Sequence, residues 1–249
     1  MTVGFDNLIF NKNLLMSLPF REGSGLITHD ESKLNNILTQ HIPGGGSFVW
    51  GNLGTGIPYL HFVPIGGGVG DGVYLDCPAA DTVSMNFTSG DYSVGGWINW
   101  LDLGAGQSEI LIGRYQTEVD GWDLYLNISG GRNTLSHRHH HSSLGAGNLK
   151  SECYSEGWTP GEWHFMGVSR KGTDVQHFRN RIPLVMAPTP TVMLDPDTAN
   201  KNMVLGARGV TLSNNWLYAM TWNLRVWNRT FSREDWATLW NREKHWFGA

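Results

Sequence analysis

Cysteine is scarce. Cys77 and Cys153 are the only two in 249 residues, too few and too far apart for a disulfide framework or a zinc motif. They read as buried thiols, with a Cys77–Cys153 bridge as the less favoured alternative. Charge is thin as well. Charged residues make up 16% of the chain, the formal net charge is -4, and no run of Lys or Arg occurs. Without a basic stripe to displace counterions from a phosphate backbone, nucleic acid is excluded as the expected partner. No stretch of 18 apolar residues is present, and MTVGFDNLIFNKNLLMSLPF has no basic segment followed by a continuous apolar one. Neither a membrane span nor a signal peptide is therefore expected.

What the chain has in quantity is glycine, proline and tryptophan: 32, 10 and 12 residues. Turn formers at that density suit many short strands, and the aromatics supply ample apolar area for a large core. The alternation is that of strands. In GEWHFMGVSRKGTDVQHFRN (161–180), Met166 and Val168 alternate with Gly167 and Ser169, and a polar break at Lys171-Gly172-Thr173 precedes a second alternating run. Gly172 takes a positive φ at little cost, which predicts a hairpin. Similar runs occur at 73–75, 92–100, 110–113, 122–127, 132–139, 203–206 and 219–227, after an opening strand at 14–20. No helices are interleaved, so the expected fold is an all-β, two-sheet antiparallel sandwich in one domain over 1–249. Residues 1–13 read as an N-terminal extension and the glycine-rich 43–72 as a loop insert. One helix is predicted at 232–245: Ser232 offers an N-cap hydroxyl, Glu234 and Asp235 fall in the first turn, and Trp236, Leu239 and Trp240 share a face.

The ordered strands resemble a known family. LPFREGSG (18–25) with Asp30-Glu-Ser32, YSVGGWIN (92–99), GEWHFMGVSRKGT (161–173), MVLGARG (203–209) and NLRVWNRTFSREDWATLW (223–240) are similar to motifs of the concanavalin A-like lectin/glucanase superfamily, most closely its laminin G-like domains. The resemblance runs from about residue 14 to about 242 and implies a jelly-roll sandwich, with Trp163 a packing residue at a strand entrance. Members of that family often carry calcium. Here Thr221, Trp222 and Asn223 replace the usual acidic pair, so the resemblance gives calcium only weak support and implies no other cofactor.

Three chemistries are open. Glu118-Val-Asp120-Gly-Trp122-Asp123 is a near miss to the catalytic strand of sandwich glycoside hydrolases, which need two carboxylates about 5–5.5 Å apart. The second glutamate is missing and 116–121 reads as a turn, so no catalytic residue is assigned. In SHRHHHS, His137, His139 and His141 share one strand face, where imidazoles at alternate positions can converge on a metal or simply line a polar surface. The third chemistry is binding without catalysis. Aromatic faces and planar hydrogen-bonding groups suit sugars, and Trp97, Asn99, Tyr115, Tyr125, Arg138, His140 and Trp158 are the candidate carbohydrate-binding residues. A noncatalytic, laminin G-like carbohydrate-binding or adhesion module is the first reading. Its expected partner is a glycan or glycosylated surface, at an extracellular or virion surface. The second is a structural or decoration protein of a virus particle, docking by Trp246-Phe247 to a capsid or tail partner or as a homo-oligomer; glycoside hydrolysis comes last.

Overall fold

A computed structural model describes residues 9–104, 107–129, 131–142, 150–187, 192–208 and 215–248. In chain order the strands are β1 (Leu14–Leu18), β2 (Ile27–His29), β3 (Ile37–His41), β4 (Ser47–Asn52), β5 (Pro58–Val63), β6 (Tyr74–Cys77), β7 (Tyr92–Trp100), β8 (Ser108–Gln116) and β9 (Asp120–Ser129). They continue with β10 (Arg132–His140), β11 (Lys150–Glu156), β12 (Trp163–Lys171), β13 (Asp174–Arg179), β14 (Ile182–Pro183), β15 (Met186–Ala187), β16 (Met203–Leu205) and β17 (Ala219–Trp227). Among the described residues a single α-helix, α1 (Arg233–Glu243), follows.

Two antiparallel sheets result. The first has the order β14-β13-β12-β7-β17-β5-β4, and the second β15-β11-β10-β9-β8-β16-β6-β3-β2. In the first sheet β17 serves two partners along one edge, pairing with β5 through Ala219–Thr221 and with β1 through Leu224–Trp227. The change of partner coincides with a register shift between Trp222 and Arg225, where Asn223 takes a φ of 52°. Such a bulge bends the strand and re-aims its side chains.

The alternation read from sequence sorts residues onto two cores. Val94, Ile98, Leu124, Leu126, Val168, Leu205 and Val226 meet between the sheets. A second apolar cluster lies on the other side of the first sheet, where Trp97, Phe165, Trp222 and Trp227 pack against Trp236 and Leu239 of α1. All nine residues of β7 are consequently buried. Ser232 caps α1 as expected: its hydroxyl accepts from Asp235 N at 3.1 Å, while the Asp235 carboxylate accepts from Ser232 N at 2.9 Å. Gly95 and Gly167, opposite each other in β7 and β12, make the seat for Trp236. A Cβ at either would stand 2.5 or 2.8 Å from that indole.

One sequence reading needs correction, and one strand was not foreseen. The 43–72 segment is not a loop insert, because β4 and β5 form a hairpin inside it that closes one edge of the first sheet. Tyr59 packs on Gly51 across that hairpin, contact that only a glycine admits. The unforeseen strand is β11, whose polar sequence KSECYSE masks alternate buried residues. Cys77 and Cys153 are both buried free thiols.

Candidate functional site

The seven candidate sugar residues divide into three places, and none is freely exposed. Trp97 is fully buried under α1, its ring stacked on Phe247 at 3.9 Å and its Nε1 donating to Glu243 Oε2 at 2.9 Å. Asn99 is also enclosed and donates to the Gly161 carbonyl at 3.2 Å. Trp158 belongs to the core between the sheets, with Nε1 donating to Ser155 Oγ at 3.0 Å. The expectation that these three present a surface to a sugar is corrected on physical grounds. The C-terminal helix covers Trp97 and the opposing sheet Trp158, while Asn99 is buried with its amide N–H held by the Gly161 carbonyl.

The other four converge. Tyr115, Tyr125, Arg138 and His140 all project from the outer face of the second sheet, around Asp123. Arg138 stands directly opposite Asp123 across β9 and β10. Its guanidinium donates through Nε to Asp123 Oδ1 at 3.0 Å and through Nη2 to Oδ2, the bidentate arrangement of a strong charge-assisted pair. The backbone N–H of Glu118 donates to His140 Nδ1 at 3.0 Å, so the neutral imidazole carries its proton on Nε2, which donates to Asp123 Oδ1 at 3.1 Å. Tyr115 stacks on His140 at 4.9 Å, and Arg138 lies 4.0 Å above the Tyr125 ring. Gly113 keeps the space beside Asp123 open, since a Cβ there would lie 2.7 Å from the aspartate Cβ. Burial pushes the Asp123 carboxyl upward, but the Arg138 charge and the His140 and Arg138 hydrogen bonds outweigh it. The group is held well below the usual carboxylate range.

This array reaches solvent at one side. Tyr125 donates its hydroxyl proton to Glu152, which is half-buried on β11. Tyr154, two residues on and half-buried as well, shares that outer face and stands opposite Ser136. Sequence reasoning passed over Glu152 and Tyr154 because β11 was not recognised as a strand.

The three carboxylates of the 118–123 segment are held in different ways. Glu118 is exposed in the turn between β8 and β9 with a φ of 58°, as the sequence suggested. Asp120 accepts from Gln116 N at 2.9 Å and closes that turn, while Asp123 is neutralised by Arg138. A general acid with a raised pKa facing a free nucleophile is the requirement. Burial does raise the Asp120 carboxyl, but Asp120 is bonded into the turn and Asp123 is paired with Arg138, so neither stands as a free nucleophile. Incubation with β-1,3- and mixed-linkage glucans is expected to release no reducing ends above a blank, and Glu118→Gln to change nothing. Turnover abolished by that substitution would reverse the assignment.

The histidines of β10 also part company with expectation. His137 and His139 do face inward together, and Tyr92 Oη lies 2.5 and 2.8 Å from their Nε2 atoms. His141 turns to Asp195 O and Ser151 Oγ instead. His137, Cys153 and His177 form the tighter group, a ring nitrogen of each imidazole and the sulfur lying within 4.8 Å of one another. Burial pushes the Cys153 thiol up to about 12 and depresses His177 to about 3; His137, desolvated and beside other imidazoles, is held well below its ordinary value. Two of the three come from other strands, a convergence that no linear spacing displays. Nearby, a cleft of about 460 Å³ is lined by Cys153, Lys171, Asp174, Phe178, Phe231 and Arg233, among others.

The comparisons with known proteins concern the fold. No protein-family model matches the chain, and no curated protein matches it. Solved structures do resemble it. The binding domain of Paraclostridial Mosquitocidal Protein 1 superposes with a TM-score of 0.65 at 12% identity, over 93% of this chain and 52% of that one. A botulinum neurotoxin type C structure, described by dependence of cell entry on two ganglioside molecules, gives 0.64 at 12% identity over 94% and 52%. The binding domain of botulinum neurotoxin DC in complex with rat synaptotagmin II gives 0.64 at 11% identity over 93% and 52%. The chain thus spans about half the length of these structures, and what it shares with them is the β-sandwich fold.

Proposed function

We propose that this chain is a noncatalytic binding module that recognises glycans on a cell surface through the outer face of the second sheet. The observation that carries the reading is the array of Asp123, Arg138, Tyr125 and Glu152, a set of planar donors, acceptors and rings locked in one geometry. Preorganised planar groups beside an aromatic ring are what a sugar's hydroxyls and C–H faces require. The equivalent face of the first sheet is closed by α1 and its tryptophans, whereas on the second sheet Glu152 and Tyr154 leave the rim of the array partly open. Sandwiches of this shape include domains described with gangliosides, a sialylated ligand and synaptotagmin, which agrees with action outside the cell. Among the described residues no helix is long and apolar enough to cross a membrane.

The particle-assembly reading loses the feature that suggested it. Phe247 stacks on Trp97, and Trp246 meets Trp222 edge-on at 5.4 Å, so the terminal aromatics are engaged within their own chain. The glycan reading is tested on an array of sialylated and neutral glycans, followed by titration of the best binder. Tyr154→Ala and Glu152→Gln lie at the accessible rim and should each weaken binding by about 1–3 kcal/mol without unfolding the protein. Unchanged affinity in both variants would move the site off this face. Absence of any glycan signal, with the protein monomeric by size exclusion, would remove the proposal.

A further inference from the structure

We propose that His137, Cys153 and His177 form a buried site for a thiophilic transition-metal ion of the zinc class, tying the two sheets together at the β11–β13 edge. The donor atoms already converge within 4.8 Å. His137 and Cys153 are direct cross-strand partners on β10 and β11, and His177 comes from β13 of the opposite sheet. In a tetrahedral site with bonds of about 2.0–2.3 Å, donor atoms stand roughly 3.5 Å apart, so closure needs about 1 Å of side-chain movement.

Hydrogen bonding prepares the imidazoles for this role. His139 Nδ1 lies 2.6 Å from the Leu194 carbonyl oxygen, which can only accept, so Nδ1 bears the proton and Nε2 a lone pair. Tyr92 therefore donates its hydroxyl proton to His139 Nε2, and its oxygen accepts from His137 Nε2–H. In the neutral ring that leaves His137 Nδ1 as a bare lone pair. It is fully buried and has no hydrogen-bond partner. On His177, Nδ1 lies 2.8 Å from Ser155 Oγ, a hydroxyl already fixed by the indole N–H of Trp158. His177 Nε2 is buried without a partner, and in the tautomer whose Nδ1–H donates to Ser155 Oγ it is a second lone pair facing the thiol.

An unpaired polar group in a protein interior costs about 1–3 kcal/mol, and two side by side next to a thiol call for a common occupant. Each imidazole has one nitrogen oriented by a hydroxyl and the other free, the pattern in which metal-ligating histidines are held. Two imidazoles and a thiolate suit zinc or copper, whereas calcium and magnesium seek oxygen. Cys153 also lines the 460 Å³ cleft, which gives an ion a path inward. On binding, the sulfur gives up its proton to solvent and forms the metal–sulfur bond, with no change of oxidation state. The fourth tetrahedral position is left to a water or a small ligand.

The experiment uses the full chain, reduced, with both thiols counted, and freed of metal by a chelator. Titration with Co²⁺ should give, at one equivalent, a thiolate-to-cobalt charge-transfer band and the visible bands of tetrahedral cobalt. Zn²⁺ should bleach both and raise the unfolding temperature. Cys153→Ser should abolish the charge-transfer band, whereas Cys77→Ser should leave it intact. His177→Gln should weaken binding by more than the roughly 10–100-fold that loss of an orienting partner causes, and Tyr92→Phe should fall within that range. The wild-type spectrum decides even where a variant fails to fold. No charge-transfer band at stoichiometric Co²⁺, or a band that survives in Cys153→Ser, overturns the site.

Discussion

Trp236→Ala is expected to lower the unfolding free energy by about 3–5 kcal/mol, the range for truncating a large buried aromatic. In a chain of this size that corresponds to a fall of roughly 6–20 °C in the melting temperature. The expectation rests on what the indole touches. Trp236 is completely buried, lies edge-on to Trp227 at 5.7 Å and packs against Phe231 at 4.8 Å. Its Nε1 donates to Ser169 Oγ at 2.8 Å, so truncation removes a hydrogen bond as well as area. The seat is the paired glycines of β7 and β12, and relaxation cannot refill it, because a strand backbone has no side chain there to move inward. Gly167→Val should do comparable damage from the other side, by pushing the indole away from a Cβ that would lie 2.8 Å from its Cδ2. Ser232→Ala, which removes only the cap, should cost about 1 kcal/mol. Urea denaturation of the three variants gives the ranking, and a loss below 1 kcal/mol for Trp236→Ala would show that α1 is not an integral part of the second core.

This helix also explains why the fold was readable in the sequence and much of the site was not. Strand period, turn chemistry at Gly172 and the Ser232 cap are local, and each is encoded within a few residues of where it acts. Trp97 is different. Alternation places it correctly on the face opposite Val94 and Ile98, but whether that face is wet depends on α1, which lies about 140 residues away in sequence. A tryptophan on a strand's outer face carries no local mark of being covered. The same holds in reverse for the second sheet: Asp123, Arg138 and His140 read as polar strand residues, and only the cross-strand register of β9 and β10 turns them into one charge network. β11 was invisible because its inward positions are Ser151, Cys153 and Ser155, small residues whose partners are His137, His141, His177 and the indole N–H of Trp158. A polar patch inside the sandwich erased the hydrophobic alternation by which strands are recognised.

Arg138→Met should destabilise the protein by about 3–5 kcal/mol at neutral pH, the usual result of leaving one member of a buried ion pair without its partner. The stem of methionine fills most of the space, so the loss is chiefly electrostatic: Asp123, with no exposed surface, would keep only the hydrogen bond from His140. The pH dependence separates this from simple loss of packing. In the native protein the Asp123 carboxyl is held below its unfolded value of about 3.9, so the unfolded chain binds more protons between the two. The pair's contribution is fully present above pH ~4 and is lost as pH falls through the folded value. Without Arg138, burial, the largest single influence on Asp123, is opposed only by His140 and should raise its pKa above the unfolded value, so the folded chain then binds more protons and the sign of the slope reverses. Protonation then relieves the buried charge. The difference in stability between Arg138→Met and the native protein should therefore shrink as pH is lowered from 7 to 5, while groups titrating alike in both cancel from it. Asp123→Asn added to Arg138→Met should recover most of the loss at pH 7, because no charge is left stranded. Denaturant titrations of the native protein, the single and the double variant at both pH values measure all of this. A deficit that stays constant with pH and survives in the double variant would mean that Arg138 matters for its packing on Tyr125, and that the charge network does not hold the candidate binding face in shape.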